Sequence, residues 1–162
     1  MNLEELQGRT VIVIENGQNM GQVVDAALDL AGHRLVALLV ASGGLIGSTR
    51  HSLEVGRIFR IGRDAVMVQA LADIADGHEL APGNTRMSEL RRRGVVTESG
   101  ENAGSLRDLE VSDDYRITGI EVATMGRLLG VFGSTTAVPI EQVRAFGELI
   151  VVKDDALPNR EQ

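Results

Sequence analysis

The chain has 162 residues, a formal net charge of -7, 43% hydrophobic and 2% aromatic residues, and no cysteine. That acidic balance argues against a general nucleic-acid or anionic-membrane binder, since Lys and Arg supply most phosphate affinity. The missing cysteines exclude disulfides, thiolate nucleophiles and cysteine-based zinc or iron–sulfur sites.

In chain order, residues 6–15 (LQGRTVIVIE) predict a first strand that ends at Asn16-Gly17, a dipeptide suited to a turn with positive φ. Residues 22–29 predict a second strand, and after Ala31-Gly32 the unbroken apolar run of residues 35–41 predicts a third. The series reads as an antiparallel meander whose core is filled by Val, Leu, Ile and Ala, residues that pack well on a pleated surface. Ser42-Gly43-Gly44 opens a longer loop or bent strand, order returns near residues 52–58, Ile61 to Asp64 reads as a turn, and residues 65–68 close the unit. Residues 70–86 change to Ala, Asp, Gly and Pro, which predicts a linker with a helical turn around Ala70 to Ala75.

From Leu90 the pattern begins again. Gly17-Gln-Asn-Met-Gly21 lines up with Gly100-Glu-Asn-Ala-Gly104, Asp25 with Asp108, residues 35–41 with 117–123, residues 53–55 with 138–140, Gly62 with Gly147, and residues 65–68 with 149–152. Matches in this order, separated by short gaps, indicate an internal duplication. The expected boundaries are a first domain at residues 1–69, a linker at 70–88, a second domain at 89–155 and a polar tail at 156–162.

Gly-x-x-x-Gly followed by an aspartate, the strand Arg34-Leu-Val-Ala-Leu-Leu-Val-Ala41, a glycine-rich loop, and Val138-Pro-Ile-Glu-Gln-Val143 before a glycine-led strand together resemble the PRC-barrel, a small β-barrel module. The resemblance spans roughly residues 6–69 and 90–153, and the first copy departs from it at residues 52–58. It implies an all-β fold of two tandem small antiparallel β-barrels with short helical turns. It also implies a barrel used for contact with other macromolecules, as in the cytoplasmic part of photosynthetic reaction-centre H subunits and the C-terminal domain of a ribosome-maturation factor. No catalytic centre and no cofactor come with it.

Alternate residues of a strand face opposite sides. Val36, Leu38 and Val40, matched by Thr118, Ile120 and Val122, are expected inside the barrel. On the other face Leu39 stands where the second copy has Glu121, and Val24 and Ala27 stand where it has Arg107 and Glu110. Copy one is apolar where copy two is charged, so Val24, Ala27 and Leu39 are the candidate interface, covered by the other copy, another subunit or a client protein.

The glycine-rich runs at residues 42–49 and 126–135 lack the lysine of a phosphate-binding loop. His33, His51 and His78 have no metal-ligand spacing, and no metal site is expected. Asp25 and Asp108, one carboxylate per barrel, point to a structural bond to turn amides rather than to acid–base chemistry. The same structural reading covers Gly17, Gly21, Gly62, Gly100, Gly104 and Gly147. Arg91, Arg92 and Arg93, with Arg86 nearby, form the one dense basic cluster and the candidate contact for RNA or an acidic partner; a solvated edge is the simpler reading.

No apolar run reaches the roughly 20 residues that cross a bilayer, and the start, Met-Asn-Leu-Glu-Glu-Leu, is acidic, so a soluble cytoplasmic protein without membrane insertion is expected. The expected role is a non-enzymatic adaptor for protein binding or assembly, with another protein or a second copy as partner. The alternatives are a ribosome- or RNA-linked assembly factor and a small-molecule or ion sensor at the seam between barrels.

Overall fold

A computed structural model describes residues 1–43, 47–124 and 133–158. The fold is mostly β, and the chain divides into two units, one of Leu3–Ser88 and one of Met1–Asn2 with Glu89–Gln162. In the first, a short helix α1 (Leu3–Leu6) leads into β1 (Thr10–Val13), β2 (Asn19–Asp29), β3 (Arg34–Ser42), β4 (Thr49–Glu54), β5 (Ile58–Ile61) and β6 (Ala65–Val68). Two-residue strands β7 (Ala75–Asp76) and β8 (Thr85–Arg86) follow, then helix α2 (Met87–Leu90). The second unit repeats the plan with β9 (Gly94–Thr97), β10 (Asn102–Val111), β11 (Ile117–Ala123), β12 (Thr135–Pro139), β13 (Val143–Phe146) and β14 (Ile150–Val152).

The sheets run β5-β6-β1-β2-β3-β4-β7 and β12-β11-β10-β9-β14-β13, with β8 beside β2. The expected meander holds from β1 to β4, but the barrels are not wholly antiparallel: β6 pairs with β1 in parallel, as β14 does with β9. The reason lies in the 3-10 turns Val55–Arg57 and Ile140–Gln142. A hairpin would reverse the chain after β4, whereas this turn passes it on into β5 in the same sense, so the next reversal delivers β6 alongside β1. The ordered stretch expected near residues 52–58 is thus the end of β4, the turn and the start of β5.

Bulges correct the simple alternation of faces. Ala27 pairs with Ala37 but Leu28 with Leu35, which leaves Val36 as an extra residue on β3, and Thr118 is the extra residue at the same place on β11. Leu35, Leu38 and Val40 are therefore the buried set, matched by Ile117, Ile120 and Val122. Val36, expected inside, is half-buried, and Thr118 is exposed. Each buried Leu or Ile contributes about 1.5–3 kcal/mol of transfer free energy, and the core is aliphatic throughout, as the scarcity of rings requires.

The expected linker at residues 70–88 is largely structural. It makes the 3-10 turn Leu71–Asp73, lays β7 against β4 and lays β8 against β2. Thr85 and Arg86 pair with Leu28 and Ala27. In the second unit the same service is given by the start of the chain: Asn2 bridges Glu110, and Met1 exchanges backbone hydrogen bonds with Val111, both at 2.8 Å. Each repeat's long second strand is thus extended by the dipeptide that precedes the other repeat in sequence.

Candidate functional site

The residues common to both repeats have local structural duties. Asn19 and Asn102 each turn a side-chain oxygen onto the amide of the following glycine, Gly21 or Gly104, at 2.9 Å. Those glycines have φ of 109° and 125°, and an added Cβ would lie 2.3 Å from the Ala41 carbonyl oxygen or 2.1 Å from that of Ala123. The close crossing of neighbouring strands here has room for hydrogen alone. Gly17 and Gly100 close the preceding turns with positive φ. Gly62 and Gly147 close the β5–β6 and β13–β14 turns through amides bonded to Ala65 and Leu149. Their carbonyls accept from Arg9 at 2.8 Å and Arg93 at 2.7 Å.

Asp25 accepts the amides of Ala26 at 2.9 Å and Ser88 at 3.1 Å, and the Ser88 hydroxyl at 2.5 Å. The carboxylate holds the start of α2. Asp108, 1% exposed, accepts the Leu109 amide at 2.8 Å. No group of three or more His, Asp or Glu among the described residues is arranged to hold a metal ion.

The arginine cluster is divided by the backbone. Arg93 is committed to the Gly147 carbonyl, and Arg91 is half-buried with its Nε buried and without a hydrogen-bond partner. Arg92 is exposed and has a left-handed φ of 71°, at the position where the first repeat has Gly8 with φ 85°. Arg86 bonds the His78 carbonyl at 2.6 Å and belongs to the first-repeat unit. One exposed guanidinium is a small electrostatic footprint beside the several phosphate contacts that nucleic-acid binding uses.

The histidines are separate as well. His33 occupies the β2–β3 turn with φ 52°, and His78 reaches the Val40 carbonyl at 2.8 Å. His51 lies with its Nδ1 3.3 Å from the Asp76 carboxylate on the neighbouring β7, close enough for an ion pair but without hydrogen-bond geometry. Of the glycine-rich runs, residues 44–46 and 126–132 lie outside the described residues, as do 159–162 of the tail.

The three candidate interface residues occupy different environments. Val24 is the extra residue of a bulge between Val23 and Asp25, where β2 faces Val40 and Leu39, and it is 42% exposed. Arg107 is its counterpart on β10. Ala27 and Leu39 are buried at 2% and 1% exposure. Among the described residues, the large apolar side chains that do face solvent are Ile14, Val24, Phe59 and Leu71 in the first repeat and Leu149 in the second, with Phe59 the most open of them at 60%. Phe59 is not legible as a surface residue in the sequence because it stands in β5, a strand of pattern Ile-Phe-Arg-Ile whose apolar residues look like core until the preceding 3-10 turn and the edge position are known.

No helix among the described residues is long and apolar enough to cross a membrane. The family model for the PRC-barrel domain matches residues 1–74 and again residues 82–157. No curated protein matches the chain.

Proposed function

The chain belongs to the PRC-barrel domain family, in two tandem copies, and from that premise we propose that it is a non-catalytic adaptor that holds a protein partner on the outer surface of its first barrel. PRC-barrel domains generally serve protein interaction and assembly, and the family is generally non-catalytic. The observation that carries the reading is the asymmetry of exposed apolar side chains, four of five in the first repeat among the described residues. Scattered single hydrophobics are ordinary on a protein surface, but two copies of one barrel differ here on the same architecture. The second repeat has Arg107 where the first has Val24, and Arg144, paired with Glu98, near the place of Phe59.

In this reading affinity comes from a few apolar anchors that become buried on docking. Capture from the native cell with wild-type bait, set beside Phe59→Glu and Val24→Glu baits, tests it. The expected result is a protein retained by the wild type, lost from both variants, and recovered by Phe59→Leu, with melting temperatures unchanged. Retention that is the same for all four baits would place the contact elsewhere.

A further inference from the structure

An exposed strand edge, separate from the residues discussed above, lies on the second repeat. In the first sheet the outer side of β4 is covered by β7: His51 pairs with Asp76, Ser52 pairs with Ala75, and the Gly77 amide donates to the Arg50 carbonyl at 2.8 Å. Among the described residues, the matching strand of the second sheet, β12, pairs with β11 alone and ends the sheet. Thr135, Ala137 and Pro139 are exposed. The Ser134 carbonyl accepts from Thr124 at 2.9 Å, on the β11 side. Alternation along a strand then turns the backbone groups of Thr135 and Ala137 outward, as those of Arg50 and Ser52 are turned toward β7. Pro139 falls on the same outward side, where its missing N–H breaks no bond within the sheet.

We propose that two copies of the chain join through β12, edge to edge and antiparallel, so that their second-repeat sheets become continuous. Three features favour a second copy as the occupant. Thr135-Thr-Ala-Val-Pro139 carries no charge, whereas β4 carries Arg50, His51 and Glu54, and its one edge-guarding residue, Pro139, lacks an outward N–H but still offers its carbonyl. A two-fold axis at Ala137 lets the two Ala137 residues exchange both N–H···O bonds, while each Thr135 amide meets the partner's Pro139 carbonyl. The ends of the strand are also complementary in charge: Arg107 is anchored to the Thr135 hydroxyl at 3.1 Å, and exposed Glu141 lies just beyond Pro139. Antiparallel pairing lays the start of one β12 along the end of the other, which sets Arg107 against the second copy's Glu141 twice.

Sedimentation velocity on the full chain across a concentration series tests the proposal. The expected result is a reversible dimer that is lost in Ala137→Pro, which removes an outward N–H, and in Ala137→Lys, which adds a like charge at the axis and leaves the backbone intact. Arg107→Glu weakens the dimer at least ~10-fold, and the exchange Arg107→Glu with Glu141→Arg restores it. If Ala137→Pro also alters the circular dichroism, Ala137→Lys decides alone. A wild type that stays monomeric up to the order of 100 μM, or a dimer untouched by Ala137→Lys, would overturn the proposal.

Discussion

At the scale of single residues, the two repeats report on each other. Gly21 and Gly104 are the least replaceable positions, because a methyl group at either would collide with a backbone carbonyl rather than a yielding side chain. Gly21→Ala or Gly104→Ala is expected to cost more than about 2 kcal/mol, read from the denaturation midpoint. Arg92 is the converse: it holds a left-handed conformation that the first repeat gives to Gly8, so Arg92→Gly is expected to raise stability by about 1 kcal/mol. These positions differ in legibility for a physical reason. The paired glycines recur at one spacing in both copies, so their importance shows in the string itself. The strain at Arg92 is visible only once the backbone dihedral is known, because the same position tolerates two chemically unlike residues.

At the scale of elements, ties between distant segments decide where strands stop. Asp154, in the 3-10 turn Asp154–Ala156, accepts the Ser99 amide at 2.9 Å and hydroxyl at 2.7 Å. The first repeat makes the matching tie with donor and acceptor reversed, Glu15 accepting the Leu71 amide at 3.0 Å. The hydrogen bonds from the Ser99 hydroxyl and amide lower the Asp154 pKa. A carboxylate whose pKa is lowered by folding contributes fully above the ordinary aspartate value, about 3.9, and loses that contribution as pH falls through its folded value. The Ser99 amide resonance should therefore titrate in that acid window, and Asp154→Asn should abolish the titration. Asp25 is a second tie: Asp25→Ala is expected to cost about 1–2 kcal/mol and to loosen α2, seen as faster amide exchange at Ser88. The order of strands and the duplication were legible from hydrophobic runs and turn residues. The bulges were not, since a bulge residue such as Val24 or Val36 looks in sequence like any other member of its strand. Nor was the structural part played by residues 70–88, because β7 and β8 are two residues each and carry no periodicity to detect.

At the scale of the whole molecule, the identity of the fold was readable, and the exposure of Val24, Ala27 and Leu39 was not. The two copies differ in character at Val24, which is exposed, and equally at Leu39 and Ala27, which are not, and strand alternation by itself does not distinguish an uncovered outer face from a covered one. Removing Met1 and Asn2 is a whole-molecule prediction, because their partners stand more than a hundred residues away. Their deletion should speed amide exchange at Val111 while leaving the first-repeat amides near Ala27 and Leu28 unchanged. The placement of these dipeptides also imposes an order in time. During synthesis Met1–Asn2 exist long before β10 does, and the Ala27–Leu28 edge is made long before Thr85–Arg86 arrive to cover it. A nascent chain that has reached only β6 therefore holds one unclaimed edge and one unclaimed dipeptide, each waiting for the other half of the message. Translation must run past the first barrel before that barrel can be finished.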